Sequence, residues 1–338
     1  MQYRLPLIAV LLLLLAPHPA LTQPEIPMEV IVVTGRLPGP PLWRVSKGDH
    51  ILYIFPRLSP VPDGMIWDSE RVARVLSESQ EVLLAPDIET DFSTTLMLNP
   101  INLFRGARLA KRLSQNPNDA TLEAVLPAEL FARYQALKTL YFPRDRKPEE
   151  MRPLFAGTRL AERIQRAEGL VSGDAIMQQL ERLIRRNRDL KQTEIEVVMD
   201  LKGSFSSLAD RAERLVDSLS REQELACFAE QVRRMESELD AMKSRANAWA
   251  QGYVDEFLGI PLPGGDDDDC LLLLDESSEF ETIEQLRQDL NQRWLTAAEQ
   301  ALANNTTSFA ILDIVELLRE NGLIAELRAR GFEVREPR

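Results

Sequence analysis

Residues 42–54 of the chain read LWRVSKGDHILYI, and this stretch sets the fold of the N-terminal end. Trp43 to Val45 and Ile51 to Ile54 have the apolar character of two short β-strands. The residues between them, Ser46-Lys47-Gly48-Asp49, are typical of a tight turn, because glycine and aspartate tolerate the backbone angles that a turn requires. The stretch therefore predicts a β-hairpin.

Further strands are predicted towards both ends of the chain, and one within its middle. They are short runs of apolar or β-branched residues, namely Glu29 to Thr34, Val82 to Leu84, Ile195 to Met199, Thr307 to Leu312 and Gly331 to Val334. Helical patterns dominate the middle, from about residue 99 to about residue 303. This arrangement predicts a single α/β domain over residues 23–338, in which the N- and C-terminal segments form a mixed sheet around a large helical insertion.

The clearest helical pattern covers residues 220–257. Its apolar residues recur at alternating spacings of three and four: Leu225, Phe228, Val232, Met235, Leu239, Met242, Ala246, Trp249 and Tyr253. Ser220 and Gln223 fit a capping box at its start. Such a seam favours one long core helix packed against a neighbour, and self-association through a coiled coil is the alternative.

The first 22 residues resemble a signal peptide. Arg4 supplies a positive charge, Leu7 to Leu15 is an unbroken apolar run, and cleavage is expected between Ala20 and Gln23. The run is too short to span a bilayer, and no other segment approaches transmembrane length. We therefore expect a mature protein without a transmembrane segment that is periplasmic or secreted.

The net charge of −13 argues against nucleic-acid binding, because phosphate backbones repel an acidic chain. The densest basic cluster consists of Arg182, Arg185, Arg186, Arg188 and Lys191. Leucines are interleaved with these residues at helical spacing, which favours the solvated face of a helix over a binding surface.

Histidine and cysteine content restricts the possible chemistry. The chain has two histidines, and His18 lies in the expected leader, so the mature protein keeps only His50. A site that needs two imidazoles is therefore excluded. Cys227 and Cys270 would enter an oxidising compartment, where pairing is the default, and we predict a disulfide between them. A catalytic role for Cys227 is disfavoured by its place in the helical pattern.

Both ends of the chain resemble the TraB/GumN family. The resemblance begins at Leu42-Trp43 and includes Pro62-Asp63-Gly64-Met65-Ile66-Trp67-Asp68-Ser69, which follows the family pattern Pro-x-Gly-x-x-Trp-x-Ser without a gap. At the other end, the matching segments are Phe309-Ala310-Ile311-Leu312, Gly322-Leu323 and Leu327-Arg328-Ala329-Arg330-Gly331-Phe332-Glu333-Val334, with Asn291 and Trp294 just upstream. The middle agrees with the family only in being helical.

The resemblance also shows which residues have been replaced. Relatives in this family, the Tiki proteins among them, are regarded as metal-dependent proteases that use two Gly-x-x-His motifs and a glutamate. In register, these five positions are occupied by Pro56, Ser59, Ala85, Asp313 and Glu316. A catalytic metal needs converging imidazole and carboxylate ligands with an open position for water. The replacements therefore imply that this chain has neither the metal site nor another cofactor.

We expect an exported, catalytically degenerate family member that binds a protein partner or a small-molecule ligand. The alternative is a hydrolase or peptidase with a reassigned site, because Ser59, Asp313 and Glu316 would face one another in the family fold. Two carboxylates and a hydroxyl could hold a hard cation weakly or support acid–base chemistry. A structural role is favoured, in which Asp313 caps the helix beginning at Ile314 and Glu316 lies in its first turn.

Overall fold

The computed structural model describes residues 39–91, 99–145, 147–200, 205–217, 219–260, 278–319 and 321–337. The strands in these ranges are β1 (Trp43–Lys47), β2 (His50–Arg57), β3 (Val61–Pro62), β4 (Glu81–Leu83), β5 (Asp87–Asp91), β6 (Leu170–Val171), β7 (Lys191–Thr193), β8 (Glu196–Asp200), β9 (Thr307–Asp313) and β10 (Glu333–Arg335). The α-helices are α1 (Glu70–Glu78), α2 (Pro100–Ser114), α3 (Leu122–Val125), α4 (Ala128–Tyr141), α5 (Pro153–Ala167), α6 (Asp174–Arg186), α7 (Phe205–Asp217), α8 (Arg221–Ser237), α9 (Leu239–Gln251), α10 (Val254–Gly259), α11 (Ser278–Asn304), α12 (Ile314–Leu318) and α13 (Leu323–Ala329).

Six strands form the main sheet, in the order β10-β1-β2-β9-β4-β7. β1 pairs antiparallel with both β10 and β2, which confirms the predicted hairpin. Gly48 in the hairpin turn has a φ of +60°, a left-handed angle that glycine adopts at little cost. β2, β9, β4 and β7 run parallel to one another, so the sheet is mixed, as expected. Two separate pairs, β3 with β6 and β5 with β8, complete the strand pairing of the described residues.

The main sheet joins the two ends of the chain. β2 and β9 pair from Ile51 opposite Thr307 to Arg57 opposite Asp313. Five consecutive residues of β9 are buried, and because successive side chains point to opposite faces, both faces of the sheet are covered at this strand. The short strands β3, β5 and β6 were not predicted, and one strand of the main sheet also departs from the prediction. β7 comes from the helical middle of the chain and lies at the sheet edge beside β4.

Two clusters of buried side chains form the core of the described residues. The larger includes the sheet and an aromatic group made by Phe55, Trp67, Trp249 and Phe309, whose ring centroids lie 5.7 to 6.2 Å apart in the contacting pairs. The smaller lies in the helical insertion, where α4, α5 and α8 pack together. Trp249 belongs to α9, so the insertion also contributes to the core of the sheet.

The predicted helix over residues 220–257 is not continuous, and this part of the prediction is wrong. It is divided into α8, α9 and α10. The capping box of Ser220 and Gln223 is present at the start of α8. The first break comes at Glu238, whose φ of −112° and ψ of −3° leave the regular helical range. The second comes at Gly252, which ends α9 with a φ of +70°.

Most of the apolar seam of this region is buried within the chain, whereas Tyr253 at its end is 50% exposed. Phe228, Val232 and Met235 on α8 belong to the insertion cluster with residues of α4 and α5, and Met242 and Trp249 on α9 are also buried. The prediction of a core packing role is therefore confirmed. Self-association through this face would require the seam to leave its own core, so the structure opposes that expectation.

The remaining predictions concern residues of which the structure describes only some. Arg182, Arg185, Arg186, Arg188 and Lys191 are all exposed, which confirms a solvated face. Cys227 is buried on α8, and the described residues contain no disulfide. Cys270 lies outside them, so pairing of the two cysteines stays a prediction. The expected leader and the strand from Glu29 to Thr34 also lie outside. Within the described ranges, no helix has the length and apolar character needed to cross a membrane.

Candidate functional site

The five positions of the family motifs lie at or just beyond one edge of the sheet. β2, β9 and β4 are adjacent parallel strands, so their carboxyl ends share that edge. Pro56 and Asp313 lie at the ends of β2 and β9, while the other three positions follow those strands and β4: Ser59, Ala85 and Glu316. Ligand sites of parallel α/β sheets commonly form at this edge. The register inferred from the resemblance therefore marks a candidate site at this edge, and its side chains decide the chemistry.

Asp313 is paired with an arginine. Arg57 lies directly opposite Asp313 in the β2–β9 register, and its Nε and Nη2 both donate to Asp313 Oδ2, with an Nε–Oδ2 distance of 3.1 Å. Asp313 does occupy the N-cap position of α12, but its side chain accepts no hydrogen bond from that helix. The expectation that its carboxylate caps the helix is therefore wrong. The carboxylate instead neutralises a guanidinium at the sheet edge.

Pro56 is covered by the helical insertion. The indole N–H of Trp249 donates to the Pro56 carbonyl over 2.9 Å in a buried contact. Trp249 also packs edge-on against Phe55 and Trp67. Helix α9 therefore lies against the end of β2, where the family pattern has the first glycine. The backbone carbonyl of Pro56 therefore already has a hydrogen-bond donor from the protein itself, the indole of Trp249.

Ser59 lies beside the N-terminus of α6. A Cβ built at Gly173, the N-cap residue of α6, would stand 3.8 Å from Ser59 Cβ and only 2.3 Å from the Leu58 carbonyl oxygen. The loop after β2 can approach α6 this closely because residue 173 is glycine. In the described structure Ser59 makes no hydrogen bond to Asp313 or Glu316. The structure thus brings Asp313 to Arg57, and shows no contact among the three residues of the expected reassigned site.

Glu316 lies in the first turn of α12, as predicted, and faces a neighbouring cavity. Its Oε1 lies 3.6 Å from Arg319 Nη1, and its buried Oε2 accepts no hydrogen bond from the described residues. The cavity has a volume of about 330 Å³ between α11, α12 and α13. Asn291, another position of the family resemblance, also lines it. Two family-related positions are therefore brought together here, without Ser59 or Ala85.

Ala85 lines a second cavity, of about 430 Å³, at the carboxyl ends of β4 and β9. Helix α6 closes one side with Met177 and Ile184, and the segment between β7 and β8 closes another. The charged lining residues are Asp87, Glu181, Arg185, Glu194 and Glu196. This excess of carboxylates was not recognised from the sequence, because the residues come from three separate elements.

The acidic surroundings affect the titration of Glu196. Partial desolvation raises the pKa of this carboxyl, and the neighbouring carboxylates of Glu194, Glu89 and Asp87 raise it further. Like charges held together in this way favour a positively charged group nearby. The cavity beside Ala85 therefore has the electrostatic character of a site for a cationic group.

Two other ionisable residues, His50 and Glu81, lie away from this edge of the sheet. His50 begins β2, so it lies at the opposite end of the strand from Arg57, roughly 23 Å away at the usual rise per residue. Glu81 is buried, and it accepts hydrogen bonds from Lys191, Thr193 and Asn305, which tie β4 to its neighbours. Among the described residues, no group of three histidine, cysteine or acidic side chains is arranged to hold a metal ion.

Comparison with protein families places this geometry in context. The model of the TraB/PrgY/gumN family matches residues 41–336. The chain belongs to the TraB/PrgY/gumN family. The match confirms the resemblance inferred from the two ends, and it extends through the helical insertion, so α2 to α11 are part of the TraB/PrgY/gumN domain. Comparison with curated proteins and with solved structures gave no match.

Proposed function

We propose that this TraB/PrgY/gumN protein has lost metal-dependent hydrolysis and acts as a binding protein at the carboxyl edge of its sheet. The Arg57–Asp313 ion pair is the observation that carries the proposal. A guanidinium is permanently positive, so a divalent cation would have to displace it before using this carboxylate. The same contact occupies the carboxylate that a rebuilt site would need.

The residues at the other motif positions support the loss of the metal. Ala85 has no donor atom where the resemblance implies a glutamate. Ser59 and Glu316 replace the two imidazoles, and Glu316 faces a different cavity from the one that Ala85 lines. A metal centre needs several ligands that converge on one point. These three residues do not supply such a set.

The proposed ligand site is the cavity beside Ala85. Its volume of about 430 Å³ is in the usual range for small-molecule sites, and apolar side chains of α6 and β9 line its floor. Arg185 is the only cation among the described lining residues and pairs with Glu181 over 3.3 Å, and because Asp87, Glu194 and Glu196 leave an excess of negative charge, the proposed ligand carries a positive group. A basic side chain of a partner protein would meet the same chemical requirement.

The alternative, a hydrolase with a site around Ser59, Asp313 and Glu316, receives less support. Asp313 is engaged by Arg57, and Ser59 lies against Gly173. Neither of the two carboxylates lies within hydrogen-bond reach of the serine hydroxyl in the described contacts. No general base is therefore positioned to activate Ser59.

The proposed location is the periplasm or the outside of the cell. The charge and hydropathy of residues 1–22, which fit a signal peptide, support this proposal. In that compartment, the proposed disulfide between Cys227 and Cys270 would be stable.

Calorimetric titration of the mature chain, from residue 23, with Zn²⁺ and with Mn²⁺ tests the loss of the metal site. We expect no stoichiometric binding of either ion by the wild type or by the Glu316→Ala variant, which serves as the matched control. Tight one-to-one binding that Glu316→Ala removes would contradict the proposal.

A second titration tests the cavity, with spermidine as a cationic probe. We expect Glu181→Gln with Glu194→Gln to weaken spermidine binding at least about tenfold, whereas Glu78→Gln with Glu129→Gln, on exposed helix positions, should leave it unchanged. Equal affinities in all variants would show that the cavity is not the binding site.

A further inference from the structure

Helix α2 lies on the protein surface with no buried residue along its 15 positions. Asn99 caps its start by accepting a hydrogen bond from the Ile101 N–H over 2.9 Å. The helix packs against α7, where Gly106 approaches the ring of Phe205 and the guanidinium of Arg105 stacks over that ring. An ion pair between Arg112 and Glu213 fixes the other end. One side of α2 is therefore attached to the protein, while the opposite side faces outward.

The outward side begins with large apolar residues. Ile101 is 66% exposed, Leu103 is 56% exposed and Phe104 is 63% exposed. Other exposed large apolar residues, such as Ile66 and Leu140, stand singly along the chain. Single exposed apolar residues are common on protein surfaces, whereas three within one helical turn need a reason.

The same helix carries only positive charge. It contains Arg105, Arg108, Lys111 and Arg112 and no acidic residue, although the chain as a whole has a net charge of −13. Ile101, Phe104, Arg108 and Lys111 follow one another at spacings of three and four, so they share one face. Arg108 lies over the ring of Phe104 at 4.9 Å, and Lys111 makes no ion pair with the described residues. The outward face thus changes from apolar to basic along the helix.

We propose that α2 docks the protein on the surface of an anionic lipid bilayer. An amphipathic helix with large apolar residues next to cations fits the boundary between acyl chains and lipid phosphates. Ile101 and Phe104 would enter that boundary, and Arg108 and Lys111 would meet the phosphates.

A bilayer accounts for the pattern better than an acidic protein partner. A protein groove that receives Ile101 and Phe104 would also need the flank of α2, where Asn102 and Leu109 are already half-buried. A flat anionic surface needs only the outward face. Because the rest of the chain is acidic, the attachment would be local, reversible and sensitive to salt.

Cosedimentation with vesicles tests the proposal on the mature chain from residue 23, since the apolar run Leu7 to Leu15 would itself bind lipid. We expect binding to vesicles of phosphatidylcholine with 30% phosphatidylglycerol (about that fraction suffices for a surface potential) and little binding to phosphatidylcholine alone. Ile101→Ser with Phe104→Ser should weaken binding at least about tenfold, because it removes most of the apolar surface that enters the bilayer.

Charge variants separate the two contributions. Arg108→Gln with Lys111→Gln should weaken binding to anionic vesicles roughly tenfold or more, at about fivefold for each cation, and should reduce its dependence on salt. The matched controls are Leu140→Ser for the apolar change and Arg182→Gln with Arg188→Gln for the charge change, all at exposed positions outside α2. These controls should bind as the wild type does.

Three results would overturn the proposal. The first is an absence of binding to anionic vesicles by the folded wild type. The second is equal binding by the α2 variants and their controls. The third is a wild-type dimer, measured without lipid, that Ile101→Ser with Phe104→Ser converts to a monomer, because the face would then be covered by a second copy. Circular dichroism checks that the variants keep the wild-type fold.

Discussion

Arg57 and Asp313 meet at a position open to water. Their side chains are 39% and 34% exposed, so solvent screens the attraction between them. The pair is therefore important because it engages the Asp313 carboxylate, and its contribution to stability is expected to be small. The contact engages the Asp313 carboxylate at the carboxyl edge of β2 and β9, whether or not it strengthens the fold.

A double-mutant cycle measures this weak contribution. Arg57→Ala, Asp313→Ala and the combined variant should show a coupling energy below about 1 kcal/mol in urea unfolding, because exposed ion pairs contribute little. A coupling above roughly 2 kcal/mol would instead assign the pair a structural role.

Glu81 is the opposite case, a buried carboxylate on which the sheet depends. Its side chain is 7% exposed, and it receives hydrogen bonds from three residues on other segments. Glu81→Ala should lower the free energy of unfolding by about 2–3 kcal/mol, because it removes three hydrogen bonds to a buried carboxylate. Glu78→Ala, three residues earlier and exposed, should change it by less than about 0.5 kcal/mol. Similar losses in the two variants would contradict the role of Glu81.

The pH dependence of stability should also report on Glu81. Burial alone would raise the pKa of its carboxyl, but the hydrogen bonds from Lys191, Thr193 and Asn305 outweigh burial and hold the pKa below the ordinary value of 4.5. A carboxyl with a lowered pKa stabilises the folded state above that ordinary value and loses this contribution as the pH falls through the lowered pKa. The difference in unfolding free energy between wild type and Glu81→Gln should therefore shrink below pH 4.5. A difference that grows on acidification would show that the sign is wrong.

At the scale of elements, α8 is the helix that joins the parts of the insertion. Phe228 on α8 is fully buried against Tyr134 of α4, and a Cβ at Gly157 of α5 would stand 3.3 Å from its ring. The close approach of α5 to α8 therefore depends on the glycine. Phe228→Ala should lower the free energy of unfolding by about 3–5 kcal/mol through the lost contacts and the cavity left behind.

The same variant distinguishes a core seam from a coiled coil. Phe228→Ala should leave the oligomeric state, measured by light scattering, as it is in the wild type. Leu140→Ala, on the exposed side of α4, should change stability by less than about 0.5 kcal/mol. If Phe228→Ala dissociated an oligomer with little loss of stability, the seam would be an interface between chains.

The sequence predicts most of these elements, and the failures have a physical cause. Apolar spacing identifies the buried faces of α8 and α9, but the helix is interrupted at Glu238 without a change in that spacing, so the pattern does not reveal the break. β7 is missed for a related reason. Its residues Lys191-Gln192-Thr193 are polar, and it is held by backbone pairing with β4 and by side-chain contacts to Glu81.

At the scale of the whole molecule, the sequence predicts where the motif-equivalent positions lie but not what surrounds them. The structure places Pro56 and Asp313 at the ends of β2 and β9, and Ala85 just after β4. The family register gives no indication that Arg57 pairs with Asp313, since these residues are 256 positions apart and meet only when β2 pairs with β9. The acidic cavity was missed for the same reason. The basic character of α2 cannot be inferred from the net charge either, because a negative net charge of the whole chain does not show that one helix carries only positive residues.

Metal analysis of the purified mature chain tests the proposed loss of the catalytic centre most directly. Elemental mass spectrometry of protein prepared without chelators should find zinc, manganese and cobalt far below one equivalent per chain, and peptide substrates should remain uncleaved. One equivalent of any of these metals, together with peptide cleavage that stops on chelation and returns on adding the metal back, would contradict the proposal.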